Sequence, residues 1–416
     1  DIHRVFAEAV VLEDGTYRRL GRIGMTRDHL EAFAATLHPT DHVVVEGEAG
    51  RRGVLWTARP PNGNATAVLE ILAAKVERVA VANPFQVHLI ARAKTKTDKI
   101  DARVLARLYA AGFLPEVWIP DEMTLARRRK VTRRNQLVKS RVRLKSIVQS
   151  ILHTHLVPRC PHTDLFGTKG RTWLRAQVLP GDERAAIERH LEDYDRQTAA
   201  QKDVERDIAA VALEDVDVKR LMTIPGIDMV VAVGVMAAIG RIDRFASPEK
   251  LVAYLGLNPS VRQSGDGPAH HGKITKRGRS HARHMLVEAA WQTVRSPGPM
   301  RAFYERVRAK RGSHVAAVAV ARKLAVLIWH MLTKGENYAW GRPALMGRKL
   351  RNLELAAGHH PRRGQKGAAY SYNDAQTRRA ERDHAEQAER AYRRMTQYWR
   401  RGGSAKGAGA AQEERS

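Results

Sequence analysis

The sequence is short of cysteine, of acidic residues and of long apolar runs. Its single cysteine, Cys160, excludes an intrachain disulfide and a zinc site built from several cysteines, and it fits a reducing compartment. The longest apolar stretch, residues 315–332, is interrupted by Arg322, Lys323 and His330. This stretch therefore predicts a buried helix, and we expect neither a membrane span nor a secretory signal.

Acidic residues are too few to balance the basic ones. The 416 residues include 72 Lys and Arg against 44 Asp and Glu, which gives a formal net charge of +28. Self-repulsion makes such a surplus costly unless a polyanion accompanies it, and nucleic acid is the polyanion that basic domains most often bind. Hydrophobic residues still make up 43% of the chain, enough for two or three folded domains. We therefore expect a cytoplasmic protein that binds nucleic acid.

Residues 1–120 alternate between strand and helix patterns. Two β-rich runs flank a turn at 13–15 and predict a hairpin, and Thr26 is a favourable N-cap for the helix that follows. Short apolar strands at 42–46 and 76–81 are separated by further helical segments. This order of elements predicts an α/β domain with a mixed sheet.

After residue 120 the chain divides into a basic helical linker at 121–215, a mostly helical region at 216–340 and a basic, partly disordered tail at 341–416. In the linker, apolar residues recur every seven positions from Leu137 to Ile151, which predicts a long coiled coil. A second helix over 183–211 is expected to fold back on the first. Residues 402–416 are low in complexity, and we expect them to be disordered.

The first linker helix carries a basic stripe. No acidic residue occurs between Glu122 and Asp164, whereas solvated helix faces usually mix charges of both signs. The stripe is therefore interpreted as unopposed and suited to phosphate contacts, with an ordinary solvated face as the alternative. The residues expected to contact nucleic acid here are Arg128, Arg129, Arg133, Arg134, Arg141 and Lys145.

Four acidic residues of the first region have positions expected of a metal site. Asp98 and Asp101 share one face at the start of a helix, although acids in a first turn also stabilise the helix dipole. Glu46 ends a strand of three valines, where a carboxylate is costly unless it is paired or metal-bound, and Glu48 is its alternative. Asp1 lies on the first strand, which we expect to be truncated because no methionine precedes it. Converging carboxylates would favour Mg²⁺ or Mn²⁺, ions that assist phosphoryl transfer.

Residues 221–290 combine Gly-centred turns with a basic loop. Gly226, in an Ile-Pro-Gly-Ile turn, would let backbone N–H groups approach a phosphate, as in a helix-hairpin-helix, unless the turn merely ends a helix. Ser264 lies in a polar loop, and its hydroxyl becomes a nucleophile only where a base or a cation activates it. Read alone, a Ser-Gly pair is usually a turn, and Thr275, Ser280 and Ser260 are rival hydroxyls. The nearby cations expected to contact nucleic acid are Arg262, Lys273, Lys276 and Arg277.

Taken in this order, the motifs resemble those of the insertion-sequence one-ten family of transposases over residues 1–340. The amino-terminal motifs are Asp1-Ile-His, Val43-Val-Val-Glu46 and Lys96-Thr-Asp98-Lys-Ile-Asp101. The carboxy-terminal motifs are Ile224-Pro-Gly-Ile227, Arg244-Phe-Ala-Ser247, Tyr254-Leu-Gly-Leu-Asn-Pro259, Ser264-Gly265 and Lys276-Arg-Gly-Arg. The family pattern has Ile-Ser-Lys where this chain has Ile-Thr275-Lys, which favours Ser264 over position 275 as the nucleophile.

The resemblance implies an RNase H-like, RuvC-like fold for residues 1–120 and a serine transposase domain with helix-hairpin-helix-like turns at 216–340. It implies that Asp1, Glu46, Asp98 and Asp101 hold Mg²⁺, and that Ser264 forms a covalent serine–phosphate link while double-stranded donor and target DNA are cut and rejoined. It further implies a homo-oligomer, a dimer or tetramer whose protomers share an active site, and a non-coding bridge RNA that pairs with both DNAs at the bacterial nucleoid. The alternatives are a metal-only nuclease or Holliday-junction resolvase, and an inactive nucleic-acid-binding relic.

Overall fold

A computed structural model describes residues 5–46, 65–90, 97–265, 267–359 and 374–413, apart from the side chains at 65, 66 and 398–413. The predicted ligand Asp1 lies outside the described residues, and so does Glu48, the alternative to Glu46. The chain divides into two compact units. The first comprises Asp1–Asp121 with Arg277–Arg279, and the second comprises Glu122–Lys276 with Ser280–Ser416.

The first unit alternates strands and helices. Its elements are β1 (Phe6–Glu13), β2 (Thr16–Gly24), α1 (Arg27–Ala34), β3 (His42–Glu46), α2 (Ala65–Ala73), β4 (Arg78–Ala82), α3 (Pro84–Ile90) and α4 (Asp98–Ala110). The predicted hairpin is confirmed, because β1 and β2 pair antiparallel. The predicted cap is also confirmed: the Thr26 hydroxyl accepts a hydrogen bond from the backbone N–H of His29 at 3.4 Å.

The strands of the first unit do not form the single mixed sheet that we expected. In the described residues, β1 pairs only with β2, and β3 pairs in parallel with β4. The register of the pair shifts between Ala9 and Val10, where β2 carries one extra residue in a bulge. An apolar cavity of about 440 Å³ is lined by residues of both β1 and β3. The two pairs therefore meet through side chains such as Ala7, Val43 and Val45, and not through backbone hydrogen bonds.

The second unit is mostly helical. Its elements are α5 (Glu122–Thr154), α6 (Thr168–Arg175), α7 (Gly181–Glu214), α8 (Val216–Met222), α9 (Met229–Ile239), α10 (Pro248–Tyr254), β5 (Pro259–Arg262), β6 (His270–Ile274), α11 (Ser280–Thr293), α12 (Pro299–Arg311), α13 (Ser313–Lys334), α14 (Pro343–Ala356) and α15 (Ala375–Glu413). Helices α5 and α7 lie antiparallel, since Arg134 meets Glu205 whereas Arg141, further along α5, meets Tyr194. The predicted fold-back is therefore confirmed.

The core of the second unit is built around α9, α11 and α13, with Val235, Leu286 and Leu324 fully buried. By length and composition α13 could cross a membrane, but half of its most apolar 18-residue window is buried inside the unit. The prediction of a buried helix is thus confirmed. Helix α15 runs to Glu413, and the predicted disorder after residue 402 stays a prediction.

Candidate functional site

Two of the predicted metal ligands open helix α4. Thr97 caps this helix, because its hydroxyl accepts a hydrogen bond from the backbone N–H of Ile100 at 3.3 Å. The cap places Asp98 and Asp101 three residues apart in the first turn, on one face, and both are half-buried. Such a pair suits the helix dipole and also supplies hard oxygen donors.

The third predicted ligand, Glu46, ends β3 opposite Ala82 of β4 and is half-buried. Over the ranges that the structure describes, however, no three His, Cys, Asp or Glu side chains are grouped closely enough to hold a metal ion. Glu46 is therefore not brought together with Asp98 and Asp101, and Asp1 lies outside the described residues. The donor type fits Mg²⁺, but these residues alone do not form a complete site.

Ser264 lies at the tip of a small exposed hairpin. Strands β5 and β6 pair antiparallel, so that Arg262 faces His270 across the ladder. Ser264 and Gly265 follow in the connecting loop, where both are exposed and Gly265 adopts the left-handed conformation, with φ of 55°. No hydrogen bond to the Ser264 hydroxyl occurs among the described residues. Ser264 is thus presented to solvent, two residues after the exposed Arg262.

Two of the rival hydroxyls are engaged in holding the hairpin. Thr275 Oγ1 lies 2.7 Å from Asn258 Oδ1, and the Thr275 backbone N–H donates to the Asn258 carbonyl at 2.9 Å. The Ser260 hydroxyl donates to the Lys273 carbonyl at 3.2 Å. The third rival, Ser280, is exposed at the first position of α11. The geometry therefore distinguishes Ser264 from Thr275 and Ser260 by the hydrogen bonds that engage these two rivals, whereas Ser260 and Ser280 are exposed like Ser264.

Arg283 fastens the base of the hairpin, and sequence reasoning missed it. Its Nη1 donates to the Leu255 carbonyl at 3.0 Å and to the Lys276 carbonyl at 3.2 Å. The Lys276 backbone N–H in turn donates to the Gly256 carbonyl at 3.2 Å. Burial lowers the pKa of Arg283 below its ordinary value. The available signal was an arginine in the first turn of α11, immediately after the basic loop.

The Gly226 turn faces the protein interior, which differs from its predicted role towards phosphate. A Cβ atom on Gly226 would lie 2.6 Å from the Thr293 backbone nitrogen, and its φ is 89°. The ammonium of Lys349 on α14 donates to the carbonyls of Met222, Ile224 and Ile227 at 2.6, 2.8 and 2.7 Å. The turn is therefore held by packing and by a buried cation.

Lys349 is a second residue that sequence reasoning missed. Burial lowers its pKa to about 8, and the carboxylate of Asp228 opposes this effect. The signal was its position between Met346 and Leu353, which pack against the core from the same helix. A lysine on an apolar helical face predicts an internal partner, because an unpaired buried ammonium is costly.

Several arginines of the basic stripe on α5 have partners within the protein, contrary to the interpretation of the stripe as unopposed. Arg128 is buried and donates to the carbonyls of Ala237 and Ala238 at 2.7 and 3.2 Å. Arg134 binds Glu205 of α7 at 2.7 Å. Arg141 donates to Gln201 and to the Tyr194 hydroxyl, both at 2.6 Å. These three side chains are occupied within the protein, because α7 and α9 supply partners that the local sequence lacks.

The other predicted cations keep their access to solvent or part of it. Arg129 is exposed and pairs with Glu122 at 2.5 Å, and Arg133 is exposed. Lys145 lies 3.9 Å from the Asp164 carboxylate and 4.8 Å from the centre of the Phe166 ring. The predicted cations near the hairpin of β5, β6 and Ser264, here called the serine hairpin, are all exposed: Arg262, Lys273, Lys276 and Arg277. Among the predicted positions, those at the serine hairpin are therefore the most accessible to a phosphate.

Two family models match the chain. The first, a transposase model of the DEDD type for IS110 elements, matches residues 1–156. The second, described as transposase IS116/IS110/IS902 family, matches residues 218–305, which include the Gly226 turn and the serine hairpin. The DEDD match suggests an RNase H-like fold for the first unit, in line with its alternating strands and helices.

Individual relatives agree with these matches. A putative transposase y4qE of Sinorhizobium fredii is 32% identical over 267 residues, covering 57% of this chain and 64% of the relative. A transposase for insertion sequence element IS1111A of Coxiella burnetii is 29% identical over 215 residues, covering 50% of this chain and 58% of the relative. An insertion element IS110 uncharacterized 43.6 kDa protein of Streptomyces coelicolor is 29% identical over 140 residues, or 33% of this chain and 32% of the relative. The chain thus spans less than two thirds of the length of these relatives.

Proposed function

Because the chain belongs to the IS116/IS110/IS902 family of transposases, we propose that it cuts and rejoins DNA with Ser264 as the nucleophile. One observation carries the assignment of Ser264. Its hydroxyl is presented at the tip of an exposed hairpin, whereas Thr275 and Ser260 in the same segment are hydrogen-bonded within that hairpin. A nucleophile must be accessible to a DNA phosphate, and Ser264 meets that condition.

The proposed reaction exchanges one phosphodiester for another. Ser264 Oγ loses its proton and forms a bond to phosphorus, while the bond from phosphorus to one DNA oxygen breaks and that oxygen leaves as a hydroxyl. The serine–phosphate link keeps the energy of the broken bond, so that a DNA hydroxyl can reverse the step and rejoin a strand. Arg262, two residues before Ser264, supplies positive charge next to the nucleophile and to the pentavalent phosphorus.

We include a divalent cation in the proposal. Asp98 and Asp101, with Glu46 and Asp1, would hold Mg²⁺ or Mn²⁺ through carboxylate oxygens, the donors that these ions prefer. When bound, such an ion stabilises negative charge on the oxygens of the reacting phosphate. The shared face of Asp98 and Asp101 in the first turn of α4 supports their part in it.

The proposed partners are double-stranded donor and target DNA, a non-coding bridge RNA and further copies of the chain in a dimer or tetramer. The net charge of +28 and the exposed cations Arg262, Lys273, Lys276 and Arg277 support contacts with nucleic acid. Arg129, Arg133 and Lys145 on α5 are further candidates for phosphate contacts. The family resemblance is the ground for the RNA and for the shared active site.

Ser264→Ala tests the proposal against Ser260→Ala as the matched control. Labelled DNA carrying the element's ends is incubated with the full chain and its co-purified RNA, and covalent protein–DNA adducts are separated under denaturing conditions. We expect Ser264→Ala to lower adduct formation by at least about 1,000-fold, because an essential nucleophile is removed. Ser260→Ala is expected to retain adduct formation.

The same assay discriminates the alternatives. A metal-only nuclease or resolvase would give free DNA ends and no adduct from the wild-type chain, and an inactive relic would bind DNA without cutting it. Adducts that persist in Ser264→Ala would refute the assignment of the nucleophile. Asp98→Asn is expected to abolish cleavage while DNA binding is retained, and normal cleavage by this variant would remove the proposed metal ligand.

A further inference from the structure

Helices α12 and α13 bring two cations, Arg306 and Lys323, against aromatic rings, and a third, Arg322, adjoins Lys323 in the sequence. Arg306 on α12 places its Cζ 5.3 Å from the centre of the Phe303 ring and 5.9 Å from that of Tyr392 on α15. Lys323 on α13 places its Nζ 5.0 Å from the same Phe303 ring. Arg322 precedes Lys323 and is exposed. The rings thus hold cations of two helices side by side.

Arg306 and Lys323 differ from other arginines of α12 because those arginines form ion pairs with acidic residues. On the same helix, Arg308 pairs with Glu305 at 2.7 Å and Arg301 pairs with Glu389 at 2.8 Å. Within the described residues, no ion pair includes Arg306 or Lys323. The carboxylate of Glu249 on α10 feels the charge of Arg322, so that Arg322 has an acid in its vicinity.

The cations act on one another electrostatically. Partial burial, followed by the positive charges of Arg306 and Arg322, lowers the pKa of Lys323 below its ordinary value. Like charges that the fold holds together in this way weaken the folded state, unless an anion neutralises them. Lys310 and Arg311, both exposed at the end of α12, add further positive charge to the same helix.

We propose that Arg306, Lys323 and Arg322 form a second surface that binds the phosphate backbone of nucleic acid. The arrangement fits a phosphodiester chain, because its anionic oxygens would bridge cations that have no ion pair of their own, and rings beneath the cations reduce the side-chain freedom lost on binding. Arg306, Arg322, Lys323 and Tyr392 all lie beyond residue 305, where the second family match ends. The inference rests on the proposed function, since it assumes a nucleic-acid partner.

The double variant Arg306→Gln/Lys323→Gln tests this surface, with Arg308→Gln as the matched control on the same helix. Binding of the full chain to a duplex DNA and to a hairpin RNA of equal length is measured by fluorescence anisotropy over a series of KCl concentrations. Two lost phosphate contacts should reduce the slope of log K against log salt by about 2 on duplex DNA and by about 1.4 on single-stranded segments. Arg308→Gln should leave the slope at its wild-type value.

The thermal unfolding temperature distinguishes binding from a purely structural role, because loss of a structural role would lower it. Because the two cations repel each other, we expect the double variant to unfold at the wild-type temperature or slightly above it while binding weakens. The charge-preserving pair Arg306→Lys/Lys323→Arg should keep the wild-type salt slope. A slope reduced on RNA alone identifies the partner strand as RNA, and one reduced on DNA alone identifies it as DNA.

Two other results would overturn the surface. One is an unchanged salt slope on both nucleic acids for the double variant when the wild-type chain binds them. The other is a lower unfolding temperature with unchanged affinity, which would assign the cations to folding. If the wild-type chain binds neither nucleic acid, the proposed function itself fails and this surface fails with it.

Discussion

Helix α5 and the serine hairpin are both strongly basic, but they use their charge in opposite ways. On α5, Arg128 is buried against two carbonyls and Arg134 binds Glu205 of the neighbouring helix. On the hairpin, Arg262 and Lys273 are exposed, and neither forms an ion pair with a described residue. Charge in the first region therefore stabilises the packing of helices, whereas charge in the second remains available to a partner.

The difference shows that the number of basic residues in a segment does not identify a binding surface. Arginine donors in α5 are matched by acceptors from α7 and α9, which lie far away in the sequence. A cation already satisfied by internal acceptors gains little from a phosphate, because the exchange would leave those acceptors unpaired. The cations that matter for binding are those for which the fold supplies no acceptor.

The turns at Gly226 and Gly265 provide the largest expected contrast in stability between a buried segment and an exposed one. We expect Gly226→Ala to lower the free energy of unfolding by about 4 kcal/mol, because its Cβ would overlap Thr293 and its φ is left-handed. Gly265→Ala should cost only about 1 kcal/mol, since no atom lies within 4 Å of its Cβ position and only the backbone is strained. Urea unfolding of both variants measures the contrast. Equal losses would contradict the view that the Gly226 turn is part of the core.

Arg128 and Arg133 sharpen the comparison within α5 itself. We expect Arg128→Ala to lower the free energy of unfolding by about 3 kcal/mol, because the carbonyls of Ala237 and Ala238 lose a buried charged donor. Arg133→Ala, an exposed control on the same helix, should change it by less than about 0.5 kcal/mol. Chemical denaturation gives both values. A neutral Arg128→Ala would return this side chain to the set of candidate phosphate ligands.

Lys349 makes the stability of the second unit depend on pH. Its pKa is lowered from 10.5 to about 8, so the unfolded chain binds more protons than the folded chain between these values. The free energy of unfolding should therefore rise with pH over this window, by about 3 kcal/mol, and the penalty is fully present below pH 8. The direction follows because burial disfavours the charged ammonium in the folded state.

The measurement is urea unfolding of the wild-type chain and of Lys349→Met at several pH values between these two pKa values. The difference between them isolates Lys349 from tyrosines and other lysines that titrate in the same range. Lys334→Met, at an exposed position of α13, should keep the wild-type rise. A rise of the same size in Lys349→Met would show that another group causes it.

Local signals in the sequence were sufficient for local structure. The Thr26 cap, the β1–β2 hairpin and the fold-back of α7 on α5 all depend on turn residues or on helical periodicity, and the structure contains each of them. Long-range pairing was beyond such signals. Three features depend on which distant segment packs next to a residue. They are the separation of β1 from β3, the burial of Arg128 and the carbonyl oxygens around the Lys349 ammonium.

The candidate site divides in the same way. Motif order predicted Ser264 and the Asp98–Asp101 pair, and the structure places the serine in an exposed loop and the two aspartates in one helical turn. It does not gather Glu46 with those aspartates among the described residues. The hydrogen bonds that occupy Thr275 and Ser260 were equally invisible in the sequence, because each joins residues more than a dozen positions apart. These contacts separate Ser264 from Thr275 and Ser260, and Ser280 remains an exposed rival.

The smallest effect that we expect concerns the ion pair between α5 and α7. The side chains of Arg134 and Glu205 are about three-quarters buried and lie 2.7 Å apart. The side-chain amide of Gln201 also donates to the Glu205 carboxylate, at 2.8 Å. A double-mutant cycle with Arg134→Gln and Glu205→Gln should give a coupling energy of about 1 kcal/mol, since partial exposure screens the pair. The coupling should shrink in high salt, and nucleic-acid affinity should be equal in Arg134→Gln and wild type. A zero coupling energy together with weaker nucleic-acid binding by Arg134→Gln would break the distinction between α5 and the hairpin, because it would show that this arginine serves the partner and not the fold.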